Sequence, residues 1–158
     1  MDRPTLALDD FIPYRLSFTS NLVSDTIAGT YEALFGLTIP EWRLIAVVAE
    51  TGGITQAAIG TRTRMDKVTV SRAAIALVGR GVLARALNPD DGRSHLLSLT
   101  DAGRELHAQI APKAMELESR IFARFDREEV ERFVAMLRRI DAITLAIGTP
   151  AGTEAGNG

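Results

Sequence analysis

Asn88-Pro89-Asp90-Asp91-Gly92 is a run that neither a helix nor a strand absorbs easily. Proline removes an amide donor, asparagine and aspartate bond their own backbone, and glycine opens the left-handed region. The chain must reverse direction there. Short segments rich in apolar residues flank the run, Leu83 to Leu87 before it and Ser94 to Leu99 after it. Together they predict a β-hairpin.

Every other segment reads as helix. Asp9 or Asp10 is expected to cap a first helix, with Pro13 in its first turn and Gly36 as its left-handed stop. Thr38-Ile39-Pro40-Glu41 is a capping box for a second helix carrying Trp42, Leu44, Ile45, Val47 and Val48, broken at Gly52-Gly53. Thr55 caps a short helix through Ile59, and Gly60 to Met65 reads as a polar turn. Asp66 caps the next helix, which runs to about Arg80 with Gly81 as its stop. After the hairpin, Thr100 caps a long helix to about Phe125 with Pro112 inside it. Asp126-Arg127-Glu128-Glu129 is a second capping box, and its helix fades near Gly148. The small, polar tail from residue 149 to 158 is expected to be disordered.

A short helix, a tight turn, a second helix and a hairpin form a winged helix–turn–helix, whose second helix suits the DNA major groove. At about 100° per residue, Val70, Ala73, Ala74 and Leu77 share the inward side of the helix from Asp66. Val68, Thr69, Ser71, Arg72 and Ala76 spread over the rest. Arginine suits guanine, hydroxyls suit mixed partners, and methyls suit thymine. At the hairpin tip, Arg93 is placed to reach a minor groove, with Asp91 two residues away to orient its guanidinium. An ordinary amphipathic helix and an exposed ion pair are the plainer readings of the same residues.

The local charge fits a nucleic-acid contact and a solvated surface with chance clustering alike. Gly60 to His95 holds seven basic and three acidic residues, a net +4, which leaves −6 on the rest of a chain whose total is −2. A basic block in an acidic body is the footprint of phosphate contact.

Other chemistries find little support. The chain has no cysteine, so disulfides, thiolate zinc sites and thiol redox switches are excluded. Two histidines, His95 and His107, do not make a metal site, and no phosphate loop or nucleophile elbow occurs. No enzyme activity, catalytic residue, metal or cofactor is expected. Without an apolar run of about 18 residues or a secretory leader pattern, a cytoplasmic protein is the expectation.

The stretches DKVTVSRAAIALVGRGVL and DDGRSHLLSLTDAG resemble the MarR-type transcriptional regulators in the recognition helix, the Asp-x-Arg wing tip and the Leu-Thr-x-x-Gly that opens the next helix. The resemblance spans about Asp10 to Gly148 and implies a mainly α fold with a small β-hairpin wing. It assigns residues 10–36 and 101–148 to helical dimerisation regions and 37–100 to the DNA-binding domain. It implies a homodimer on a pseudo-palindromic double-stranded DNA operator. Carried over by position, Thr63, Arg64 and Lys67 approach phosphates, and Val68, Thr69, Ser71 and Arg72 face bases. Arg93 sits in the minor groove with His95 close by on the wing; Arg62 and Asp91 complete the DNA-binding candidates. Gly60 and Arg64 depart from the family's usual alanine and turn glycine. Val68 replaces a common small hydroxyl, which suggests a thymine-methyl contact. The resemblance also implies a small-molecule pocket, often for aromatic or phenolic acids. Arg15, Phe18, Trp42 and Arg43 are candidate linings, although the plainer reading makes the two aromatics core and the arginines surface. The function expected is a transcriptional regulator, a repressor released by a small ligand. The alternative is a winged-helix protein-interaction module that does not bind DNA.

Overall fold

A computed structural model of the chain describes residues 3–148. The tail at 149–158, expected to be disordered, lies outside the described residues. The order is a 3-10 turn at Leu8–Asp10, α1 (Ile12–Phe35), α2 (Ile39–Thr51), α3 (Gln56–Thr63), α4 (Lys67–Gly79), β1 (Leu83–Asn88), β2 (Asp91–Leu99), α5 (Asp101–Phe122) and α6 (Arg127–Gly148). The chain divides into two compact units, the first ending at Ala114 inside α5 and the second beginning at Met115.

The helix boundaries follow from their caps. Thr38 Oγ1 accepts the Glu41 amide and Glu41 reaches back to the Thr38 amide, so both halves of the box are closed. Thr55 accepts from the Ala58 amide and Asp66 from the Thr69 amide. Asp126 and Glu129 form the second reciprocal box. Gly36, Gly52 and Gly81 all end their helices at positive φ, the conformation that a side chain penalises.

Four boundaries differ from the sequence reading. Neither Asp9 nor Asp10 caps α1: Phe11 holds the N-cap position, and the Asp9 carboxylate binds the Arg15 guanidinium at 3.0 Å instead. Helix α3 runs on to Thr63 through the residues read as a turn. Thr61 and Thr63 return their hydroxyls to the carbonyls of Ala57 and Ile59, which satisfies polar groups without leaving the helix. The hairpin reversal is tighter than the five-residue run implied, because β2 already starts at Asp91. Helix α5 stops at Phe122 rather than Phe125.

The core of the first unit gathers Leu37, Leu44, Ile45, Ile59, Val70, Leu77, Leu83 and Leu97, all essentially without solvent exposure. Ile54, between α2 and α3, exchanges both backbone hydrogen bonds with Leu97 at 3.0 and 2.8 Å. This one-residue third strand ties the base of the hairpin to the helices. The start of α5 is pinned as firmly. Thr100 accepts from the Gly103 amide and donates to the carbonyls of Gly81 and Val82. A Cβ on Gly103 would lie 2.1 Å from the Val82 carbonyl oxygen. The Leu-Thr-x-x-Gly signature thus marks a close approach of the α5 backbone to that of Val82, the residue before β1.

In the second unit, Leu117 is buried while α6 has no buried residue. Phe122 and Phe125 meet with ring centroids 6.1 Å apart.

Candidate nucleic-acid interface

Helix α4 sorts its faces as its periodicity requires. Val70, Ala73, Ala74 and Leu77 are buried, and Val68, Arg72 and Ile75 are exposed. Asp66 anchors the first turn. Its Oδ1 accepts the Thr69 amide and its Oδ2 accepts the Thr69 hydroxyl, both at 2.8 Å. These bonds, the backbone one first, lower the Asp66 pKa below its ordinary value. Thr69 therefore spends its proton on the cap.

The turn into α4 carries a second device. Arg64 sits at φ 56, the one described non-glycine residue in the left-handed region. That is the position at which the resemblance leads one to expect glycine, and the backbone conformation is kept without it. Thr63 stabilises the same turn, donating its hydroxyl to the Ile59 carbonyl at 2.7 Å and accepting the Met65 amide at 3.3 Å. Gly60 has little room to be larger, since its Cβ would come to 3.3 Å from the Met65 carbonyl oxygen.

The cations at this entrance are not equivalent. Arg62 is held by Glu50 at 2.7 Å. Arg64, Lys67 and Arg72 are exposed, and their side chains make no hydrogen bond or ion pair among the described residues. Between α3 and α4 lies an open cleft of about 620 Å³, where Gln56 and Thr61 join Lys67 and Ser71. Gln56 and Thr61 are not legible as site residues in the sequence, because isolated polar side chains on a short helix carry no separate signal.

The wing tip is built by side chains that fold back on the backbone. Asn88 accepts the Asp90 amide and donates to the Ser94 hydroxyl, both at 3.1 Å. Asp91 accepts the Arg93 amide at 3.0 Å. The expected bond between Asp91 and the Arg93 guanidinium does not form; Asp91 Oδ1 instead accepts the backbone amide of the same residue. Arg93 is left exposed with its guanidinium free, and exposed His95 lies opposite Leu87 on the ladder.

The four candidate ligand residues fall into two groups. The Arg15 guanidinium lies over the Phe18 ring at 5.2 Å, and Tyr14 packs on the same ring. Trp42 stacks on His107 with centroids 6.1 Å apart and meets Tyr31 at 5.5 Å, with exposed Arg43 beside it on α2. Burial raises the Tyr31 pKa. Phe18 and Tyr31 are thirteen residues apart on α1, roughly 20 Å along its axis at 1.5 Å per residue. A single chain therefore does not bring the four together.

The comparisons with known proteins bear on the whole arrangement. The sequence model of the MarR family matches residues 35–94. A probable transcriptional regulator from Pseudomonas aeruginosa of known structure is 32% identical, with 85% of this chain and 99% of that one covered and a TM-score of 0.71.

The chain belongs to the MarR family.

Among MarR-family structures, the MarR/EmrR family transcriptional regulator from Acinetobacter shares the fold at a TM-score of 0.81 and 22% identity, with 88% of this chain and 98% of that one covered. The transcriptional regulator HosA of Escherichia coli O111:H- is 26% identical over 66% of this chain and 77% of its own length. This MarR-family chain is thus a transcriptional regulator with a winged-helix fold, and not an enzyme. No described helix is long and apolar enough to cross a membrane.

Proposed function

We propose that this regulator binds double-stranded DNA sequence-specifically as a homodimer and represses by occluding a promoter. The carrying observation is the set of uncommitted cations, Arg64, Lys67, Arg72 and Arg93, spread from the α4 entrance to the wing tip. Free cations at these places are available to replace condensed counterions on phosphate. Arg64 and Lys67 supply grip, the outer face of α4 supplies sequence, and Arg93 enters a minor groove. Arg62, held by Glu50, must release that partner before it reaches a phosphate.

Residues 37–100 act in this reading as the DNA-binding domain, and 10–36 with 101–148 as the dimerisation regions. In α1, Ile12, Leu16 and Leu22 are exposed; in α6, Phe133, Met136, Ile143 and Ile147 are exposed. A second copy covering such faces would set two recognition helices on half-sites about one turn of DNA apart. MarR-family regulators bind small-molecule ligands. A small aromatic acid held by residues of the Arg15–Phe18 and Trp42–Arg43 groups would release this one by preferring the unbound state. With DNA as partner, its site of action is the cytoplasm.

The test begins with duplexes selected from a random pool. Arg72→Ala should lose discrimination at particular bases, by about 1–3 kcal/mol for a good contact. Arg64→Ala should weaken all sequences alike and reduce the salt slope by about 1. Equal losses from both variants on selected and random DNA would sink this division of roles.

A further inference from the structure

The outermost line of α4 is more specific than a general basic surface. At about 100° per residue, Val68, Arg72 and Ile75 fall within roughly 60° of one another. They lie opposite the buried residues Val70, Ala73, Ala74 and Leu77. Val68 is 56% exposed and Ile75 61% exposed. A helix that buries Val70 and Leu77 thus presents two branched aliphatic residues outward, on either side, along its length, of an unpaired arginine. The hydroxyl expected to share this work, that of Thr69, is bound to Asp66. Val68 to Ile75 spans about 10 Å of helix at 1.5 Å per residue. That length matches about three base pairs at 3.4 Å each.

We infer that Val68 and Ile75 read thymine 5-methyl groups on either side of a guanine bound by Arg72. The inference rests on the proposed entry of α4 into the major groove, where the thymine methyl is the one apolar group on a base edge. A branched side chain and that methyl exclude water from each other. Arg72, between them, is of a length and charge suited to the guanine O6 and N7 acceptors. A half-site read this way has thymines flanking a guanine within about three base pairs. Its discrimination at the flanks comes from methyl burial rather than hydrogen bonding.

Deoxyuridine tests this directly, because it removes the methyl and leaves every hydrogen-bonding edge in place. Each thymine of a selected duplex is replaced in turn, and binding is measured with the full-length chain. Two positions per half-site should lose about fourfold in affinity, the effect of one buried methyl-sized group. Val68→Ala should abolish the loss at one of them and Ile75→Ala at the other, while thermal unfolding shows both exposed-site variants folded. Overturning results are an absence of any thymine with more than about twofold loss, or variants that keep the full deoxyuridine sensitivity. If no duplex is enriched from the pool, DNA recognition itself fails and this inference with it. A specific duplex indifferent to deoxyuridine overturns the methyl contacts alone.

Discussion

The segment from Leu37 to Thr100 and the helices at the two ends of the chain dispose of their apolar residues differently. In the first, Leu44, Ile45, Ile59 and Leu77 are fully enclosed. In α6, Phe133, Met136 and Ile143 lie open, and Ile147 is 78% exposed. The first region completes its core within one chain. The second carries apolar surface that a single chain leaves in water, as expected of a helix designed to meet a partner. The contrast separates what makes the winged helix fold from what would make it a two-fold DNA reader.

The largest effect that tests the contrast is truncation on the enclosed side. Leu44→Ala should cost about 2–5 kcal/mol in urea unfolding, the range for a buried leucine. Ile143→Ala should change the stability of the dissociated chain by no more than about 0.5 kcal/mol, yet weaken self-association in sedimentation. Equal stability costs for the two at low protein concentration would break the comparison, because Ile143 would then be covered within its own chain.

A smaller loss should come from the joint between β1 and α5. Gly103→Ala forces a Cβ into the Val82 carbonyl, and overpacking of this kind costs about 1–3 kcal/mol. Gly92→Ala at the wing tip is the control, since no atom lies within 4 Å of its Cβ position. Thermal unfolding that ranks the two variants alike would show that the joint relaxes freely.

The elements that sequence made legible are those with a complete punctuation of cap, periodic face and stop. Helix α4 has Asp66 before it, four inward residues at helical spacing and Gly81 after it, and its buried set came out as expected. The hairpin came out for the same reason, through its turn residues. The full length of α3 is not legible, because Gly60, Thr61 and Thr63 are loop formers by propensity. Hydroxyl bonds back to the preceding turn, and the close approach of Gly60 to Met65, are tertiary facts that propensity does not contain. The Ile54–Leu97 bridge is a single residue and has no period to detect. Asp91 was paired with the wrong end of Arg93, because spacing does not distinguish an amide from a guanidinium. Ile75 is a different kind of omission: the same angular arithmetic that places Val68 and Arg72 outward places Ile75 about 20° from Val68, on the side away from Arg72. The ligand candidates Arg15, Phe18, Trp42 and Arg43 rest on the pocket that the resemblance implies and on side-chain chemistry, neither of which contains the separation along α1 that keeps them in two groups.

The smallest effect concerns the anchor of α4. Asp66 accepts the Thr69 amide and hydroxyl, and its pKa lies below the ordinary 3.8. A carboxyl group with a depressed folded-state pKa stabilises fully above its unfolded value, and that contribution disappears as pH falls through the folded one. The unfolded chain takes up the proton first, so the loss begins near pH 4 and continues downward. Asparagine caps helices about as well as aspartate but does not titrate. Asp66→Asn should therefore be less stable than the parent chain at pH 6, where the charged carboxylate also meets the positive end of α4. The gap should close as pH falls below about 3.8. Urea unfolding of both chains across this range gives the answer. A gap that stays constant with pH would mean that the carboxylate charge contributes nothing to the cap, which then acts through hydrogen bonds alone.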